Sequence, residues 1–339
     1  MSTTSAPRDF SDIVTAVRTT VKADSSTPTT TTIKRLINTR LVDMHIQANF
    51  PWAERRATLL THAPYTTGTV DTTVGSVTVT GTSTVWTTSN SYGQANVRTT
   101  GVLVFSGDPQ PYRISTVDGA GTLTLATRWI GAAALAGATY TYLEPEYDLA
   151  SDLLRMKHPR QFSDVLQIPI LPRDEFDRRF PRNTTQGTPI VCTIVDVGFA
   201  ASASRVQRVV FAQVPNATLQ IPYWYITRNL AVSSAGVEAE ALSADTDEPI
   251  IDRLYRHVLV EGAAADYFRD GKDDARSAEH EGRYEAIVNR TKQDSPPERD
   301  RPRLEVVPRH NVNHLLQVRG RGGRYVTGAS SDRWDQFRE

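Results

Sequence analysis

Seven histidines are the side chains best suited to chemistry near neutral pH, and they are spread along the chain at His45, His62, His158, His257, His280, His310 and His314. His310 and His314 are four apart, a spacing that on a helix would turn both imidazoles to one face and offer a metal two ligands. Nearby prolines and the lack of capping residues argue against a helix there, and no third ligand lies close in sequence. His257 flanks an apolar helical stripe and reads as a surface or interface histidine. Cys192 is the one cysteine, which excludes an internal disulfide and a cysteine-rich metal site. Its surroundings, PIVCTIV, read as a buried strand and make it a core thiol. No serine sits in a G-x-S-x-G elbow and no G-x-x-x-x-G-K-[ST] phosphate loop occurs. The carboxylate pairs Asp174-Glu175 and Asp273-Asp274 read as helix caps or solvated faces. Gly320-Arg321-Gly322-Gly323-Arg324 is a single copy of the kind of segment that touches nucleic acid, and its charge could equally meet acidic protein or solvate a flexible end. No catalytic residue, cofactor site or metal site is expected, and the missing chemistry favours a structural or interaction role.

The elements that would carry such a role begin with Asp247 to Thr291, the longest helical reading in the chain. Ile251, Leu254, Tyr255, Val258, Gly262 and Ala265 recur at spacings of three and four, and Leu259, Ala263 and Tyr267 widen the stripe. Asp247 reads as an N-cap with Pro249 in the first turn. Asp270-Gly271 should break the run before a second helix carrying Ala275, Ala278, Tyr284, Ile287, Val288 and Thr291. Near the N-terminus, Phe10, Ile13, Val14, Val17 and Val21 predict a short amphipathic helix. A Ser/Thr/Pro spacer then leads to a helix from about Ile33 to Ala48, with Lys34, Arg35 and Arg40 facing away from the stripe and Phe50-Pro51-Trp52 stopping it. Pairing of these N- and C-terminal helices would carry everything between on one helical base.

Between about Tyr65 and Tyr142 charges almost vanish and Thr, Val and Gly dominate. Val77 and Val79 alternate with Thr78 and Thr80, Gly75 and Gly81 punctuate, and Asp118-Gly119-Ala120-Gly121 is a hairpin signal. Five to seven short strands make a small β-sandwich or barrel. Residues 146–245 read as a second β-rich module: a short helix or turn over YDLASDLLRMKHP, a helix with Phe176 and Phe180 at i, i+4 capped by Asp174, and strands TPIVCTIVD, RVQRVVFAQVP and ATLQIPYWYIT. Pro222 marks the last as an edge strand or bulge, with Trp224 and Tyr225 on opposite faces. The final segment is rich in proline, glycine and charge and should be extended in the free chain, though it holds apolar anchors.

The fold class expected is therefore α+β: a helical bundle from N- and C-terminal helices (1–63 and 246–292), an inserted β domain (64–145), a mixed β-rich module (146–245) and an extended C-terminal arm (293–339). A chain of 339 residues with 38 basic and 38 acidic residues fits a globular protein with no net basic grip on nucleic acid. No secretory leader is recognised in residues 1–12 and no apolar run approaches bilayer length, so synthesis in the cytoplasm and no membrane contact are expected.

The order of segments resembles a known family. IKRLINTRL, then FPWAERRATLLTHAPYTTGTV and GSVTVTGTSTVWTT, is similar to adaptor proteins of the tailed-bacteriophage head-to-tail connector. So are EYDLASDLLRM, EFDRRFP, GTPIVCTIVD, VFAQVPNATLQIPYWYIT and DEPIIDRLYRHVLVEGAAADYF, over roughly residues 30–292. The resemblance implies a virion protein whose helical-bundle subunits form a ring of twelve under the portal protein. Such a ring receives tail nozzle, tail-tube or fibre proteins and leaves a channel through which genomic DNA passes without specific binding. It also implies that the C-terminal segment reaches the portal, which would make Leu315, Leu316, Arg319, Arg321, Arg324, Tyr325, Trp334 and Phe337 the contact residues. Ring closure needs heterologous contacts, to which Tyr255, Val258, Gly262 and Ala265 are assigned. A second reading makes the β domain a receptor- or glycan-binding module, with Trp86, Tyr92, Tyr112 and Trp129 stacking on sugars.

Overall fold

The computed structural model describes residues 7–157, 159, 167–181, 183–199, 205–294, 317–319 and 325–327. The chain opens with α1 (Phe10–Val21), whose buried residues are Phe10, Ile13, Val14, Val17 and Val21, the whole predicted stripe. Asp9 caps it, its carboxylate accepting from the Asp12 amide at 2.9 Å. Two more of its first amides, those of Phe10 and Ser11, donate to the carbonyls of Asp247 and Asp245, so the helix start is completed by chain more than 230 residues away.

Helix α2 (Thr27–Gln47) starts six residues earlier than expected. The threonine-rich spacer is helical from Ser26 as N-cap residue, with Pro28 in the first turn where its missing N–H costs nothing. A 3-10 turn over Pro51–Ala53 then leads directly into β1 (Glu54–Leu60), so FPWAERRATLL contributes a strand rather than more of the helical base.

The next strands are β2 (Thr69–Thr72), β3 (Thr78–Thr82), β4 (Val102–Phe105), β5 (Pro111–Gly119), β6 (Thr122–Leu125), β7 (Leu135–Ala138) and β8 (Tyr140–Leu143). They form one antiparallel sheet in the order β7-β2-β3-β6-β5-β4-β8. Its two edge strands are consecutive in the chain with only Thr139 between them, so the sheet curls into a half-barrel. Val70, Val79, Leu103, Ile114 and Leu123 fill it, with Trp86, Phe105, Tyr112, Trp129 and Tyr142.

The chain continues through β9 (Glu146–Asp148), β10 (Leu153–Met156), α3 (Arg173–Arg179), β11 (Gln186–Gly187), β12 (Val191–Phe199), β13 (Arg205–Ala212), β14 (Val214–Pro215) and β15 (Gln220–Thr227). YDLASDLLRM is thus two strands and a turn rather than a short helix. Asp174 lies in the first turn of α3 instead of capping it; Pro172 holds the N-cap position. Two three-stranded sheets, β1-β15-β10 and β12-β13-β9, enclose a core of Leu59, Leu153, Tyr223 and Tyr225 from the first and Tyr147, Cys192, Val209 and Phe211 from the second. Pro222 is in the middle strand, yet it pairs only with Thr58 of β1, because β10 reaches no farther along β15 than Tyr225. At its own position it has an open flank, which is what proline requires.

Short strands β16 (Ala231–Val232), β17 (Glu238–Ala239) and β18 (Glu248–Pro249) precede α4 (His257–Asp270) and α5 (Asp274–Asp294). Residues 317–319 and 325–327 pair as an antiparallel hairpin, β19 (Gln317–Arg319) and β20 (Tyr325–Thr327), with Val318 opposite Val326. The expected helix start at Asp247 is corrected. The Asp247 carboxylate accepts from the Ser243 and Ala244 amides at 2.8 and 2.7 Å, bonds that hold its pKa below the usual range, and Pro249 pairs with Ala231 in a sheet. Asp252 caps a 3-10 turn at Arg253–Tyr255, and α4 begins only after it. In α5 the buried face is Ser277, His280, Tyr284, Val288 and Thr291, whereas Ala275 and Ala278 are exposed.

Helices α1, α2, α4 and α5 share one hydrophobic core, including Ile13, Val17, Ile37, Leu41, Val258, Leu259, Ala263 and Tyr284. Gly262 sets how closely α4 approaches α2 and α5. A Cβ there would stand 2.9 Å from a Tyr284 ring carbon and 3.0 Å from Arg40 Cγ. Gly262→Leu is therefore expected to lower the unfolding free energy by about 1–3 kcal/mol through overpacking, measured by urea denaturation. A variant as stable as the parent would show that the helices can part at no cost.

Candidate assembly surface

Arg40 was expected on the solvent face of α2. Instead its side chain is 7% exposed and sits where α2, α4 and α5 meet. Its Nε and Nη2 donate to the two Asp266 carboxylate oxygens at 2.7 and 2.6 Å, and Nη1 and Nη2 donate to Glu281 at 2.9 and 2.5 Å. The guanidinium lies 4.8 Å from the centre of the Tyr284 ring. Desolvation alone would lower the Arg40 pKa, but the bonds to Asp266 and Glu281 outweigh it and raise the pKa well above its ordinary value. A second buried arginine, Arg256, donates to the carbonyls of Ile251, Pro249 and Arg8 and to Glu248, binding the chain ahead of α1 to the start of α4.

Beside Arg40 runs a cleft of about 340 Å³ between α2 and α5, lined by Asp43, Ile46, Gln47, Glu281, Glu285, Val288 and Asn289 among others. Ile46 is 57% exposed at its mouth, and Val42, one turn earlier on α2, is 45% exposed. Helical spacing puts Val42 and Ile46 on one line. An apolar edge thus runs beside carboxylates.

The half-barrel joins the two-sheet module through charge. Glu144 is 2% exposed, accepting from Arg98 Nη2 at 2.6 Å and from the Thr100 hydroxyl at 2.5 Å. Glu146, also buried, meets Arg113 of the half-barrel and Arg208 of β13. Burial and these ion pairs fix the sheet on its neighbour. On the module's outer face Trp224 is 43% exposed with the Arg56 guanidinium 5.9 Å from its ring centre.

The sequence-derived contact residues fall unevenly. Val258, Gly262 and Ala265, assigned to a subunit contact, are buried within this chain, and at Gly262 the missing side chain lets Arg40 of α2 and Tyr284 of α5 approach. Tyr255 is half-buried, its hydroxyl donating to Asp294 at 2.8 Å. Arg319 and Tyr325 belong to the C-terminal hairpin, cross-strand partners of one another. Leu315, Leu316, Arg321, Arg324, Trp334 and Phe337 lie outside the described residues, as do His158, His310 and His314. His257 is exposed. Cys192 is fully buried, and burial pushes its thiol up to about 12. Of the aromatics offered for sugar stacking, Trp86, Tyr112 and Trp129 are core residues and only Tyr92 is exposed, so the glycan reading loses its platform. Sequence reasoning missed Arg40 and the α2–α5 cleft, because the partners of Arg40 lie 226 and 241 residues away.

No helix among the described residues is long and apolar enough to cross a membrane, and no group of three or more His, Cys, Asp or Glu is placed to hold a metal. A family model described as SU10 adaptor protein matches residues 109–304, more than half of the chain. The match spans the second half of the half-barrel, the two-sheet module except β1, α4 and α5, and ends ten residues past α5. No curated protein matches the chain.

Proposed function

The chain belongs to the SU10 adaptor protein family, phage structural adaptors of the virion, and on that premise we propose that it is the head-to-tail adaptor. In this reading it forms a ring, of twelve copies by resemblance, below the portal protein. The ring joins the portal to nozzle, tail-tube or fibre proteins and leaves a channel for DNA. The family match over residues 109–304 carries the reading. The rest of the molecule supports it. A stiff helical core held by buried arginines suits a part that transmits load. Exposed patches with mixed apolar and charged character suit protein contacts. Equal numbers of basic and acidic residues suit a conduit that must not hold phosphates.

The C-terminal segment, residues 293–339, is the proposed portal-binding arm, with Leu315, Leu316, Arg319, Arg321, Arg324, Tyr325, Trp334 and Phe337 as anchors. Many weak arm contacts on one portal ring act together, so no single arm needs high affinity. A chain truncated after Asp294 keeps all of α5 and should fold, since among the described residues that cut removes nothing from the helical core. Its expected behaviour is loss of portal attachment in co-sedimentation or electron microscopy with the cognate portal, with helical circular dichroism unchanged. Truncated protein that still decorates portals would overturn the arm assignment.

A further inference from the structure

The cleft between α2 and α5 is chemically lopsided. Asp43 and Glu285 form no ion pair among the described residues, and Glu281 already faces Arg40. Arg40 cannot neutralise them, since it is bound to Asp266 and Glu281. Beside these carboxylates stand the exposed aliphatic side chains of Val42 and Ile46. An occupant that fits needs arginine or lysine without acid, together with aliphatic side chains.

The C-terminal segment contains such a stretch, and unlike residues 197–237, which are equally free of acid but whose strands are built into the two-sheet module, none of its described residues is part of that module's core. From Val306 to Ser331 there are four arginines, Arg309, Arg319, Arg321 and Arg324, and no carboxylate, alongside Leu315, Leu316, Val318 and Val326. Within it β19 and β20 pair through only three residues each. A two-stranded hairpin of that size is marginal in water and gains by docking. Asp294, where α5 ends, is held by Tyr255. It lies nine residues after Glu285, about 180° around the helix axis, so Asp294 sits on the flank of α5 opposite its own cleft.

We propose that residues 306–331 of one copy dock in the α2–α5 cleft of a second copy, with the arginines meeting Asp43 and Glu285 and the aliphatic residues covering Val42 and Ile46. The contact joins two different surfaces, the head-to-tail type that closes rings. The residues 295–305 that lead to it span up to ~40 Å when extended, which is the reach available for crossing to a neighbour. This goes beyond portal attachment: the arm would bind its neighbour first, leaving Trp334 and Phe337 beyond it.

Disulfide trapping in the full-length chain tests the proposal without any portal. Glu285→Cys protein, carrying a tag that shifts its mass, is mixed with Arg319→Cys protein under mild oxidation; the buried thiol of Cys192 stays silent. The expected product is a cross-copy dimer formed at least fivefold faster than with Arg283→Cys, which lies on the opposite flank of α5, and slowed several-fold in 0.5 M salt as an exposed ionic contact would be. Equal trapping at Arg283→Cys, no trapping, or closure only within a single Glu285→Cys/Arg319→Cys chain at high dilution would each overturn it. Because no portal is present, failure here leaves the truncation experiment to judge portal attachment on its own.

Discussion

Arg40→Ala is expected to lower the unfolding free energy by about 3–5 kcal/mol, the cost of removing one partner from a buried ionic cluster. The substitution strands Asp266 and Glu281 at a three-helix junction, their side chains only 15% and 27% exposed. It also removes the cation from the face of Tyr284 and the arginine stem from contact with Gly262. Arg269 approaches both carboxylates at 3.2 Å, so the loss is not total, but that arginine is 56% exposed and its attraction is screened by water. The charge origin can be separated from the packing origin. Arg40→Met combined with Asp266→Asn and Glu281→Gln keeps the volume and removes the stranded charges, and should regain most of the stability. Urea unfolding monitored by far-ultraviolet circular dichroism reads both. A cost for Arg40→Ala below about 1 kcal/mol, the range of an exposed pair, would show that this arginine does not hold the helices together.

This arginine also marks the boundary of what the chain's sequence discloses. The stripe of α1 was legible because each buried residue obeys a spacing of three or four, and every one is buried. The hairpin between β5 and β6 was legible for the same local reason: Asp118-Gly119 and Gly121 supply the turn, and Leu123 and Leu125 alternate inward. The same periodicity misplaced Arg40, since it treats a charge as a solvent residue and has no access to carboxylates on helices more than two hundred residues later. It misplaced the start of α4 too. Asp247 has the side chain of an N-cap, but it caps the turn behind it, a choice made by the Ser243 and Ala244 amides. Gly262 through Ala265 was read as small enough for close approach, which holds; whose helix approaches is a question of tertiary structure, and the answer is this chain's own. The cleft beside Arg40 had no local signature at all, since it exists only where Asp43 of α2 comes to face Glu285 of α5.

Trp86→Ala should cost about 3–5 kcal/mol, and where that cost falls bears on how the molecule is divided. Trp86 is fully buried in the half-barrel; its indole N–H donates to the Tyr140 hydroxyl at 2.7 Å, which in turn donates to the Thr67 carbonyl at 2.8 Å. The ring stands nearly perpendicular to Tyr140, a favourable edge-to-face contact. Truncation leaves a large cavity and removes the donor to the Tyr140 hydroxyl, which keeps its bond to the Thr67 carbonyl. The half-barrel core and the helical core share no residue, and the sheet is tied to the module beyond it by the charged joint of Arg98, Arg113, Glu144 and Glu146 together with a small apolar cluster of Val102, Leu143 and Val214. Destabilisation should accordingly stay local. Hydrogen exchange read by mass spectrometry is expected to show faster exchange across residues 64–145, with α1, α2, α4 and α5 protected as in the parent. Uniform deprotection of the whole chain would mean that the β segment folds as one cooperative unit with the helices and is no inserted domain. Local deprotection would give the half-barrel the independence required of a part that an adaptor ring can carry or vary without disturbing the helices that hold it together.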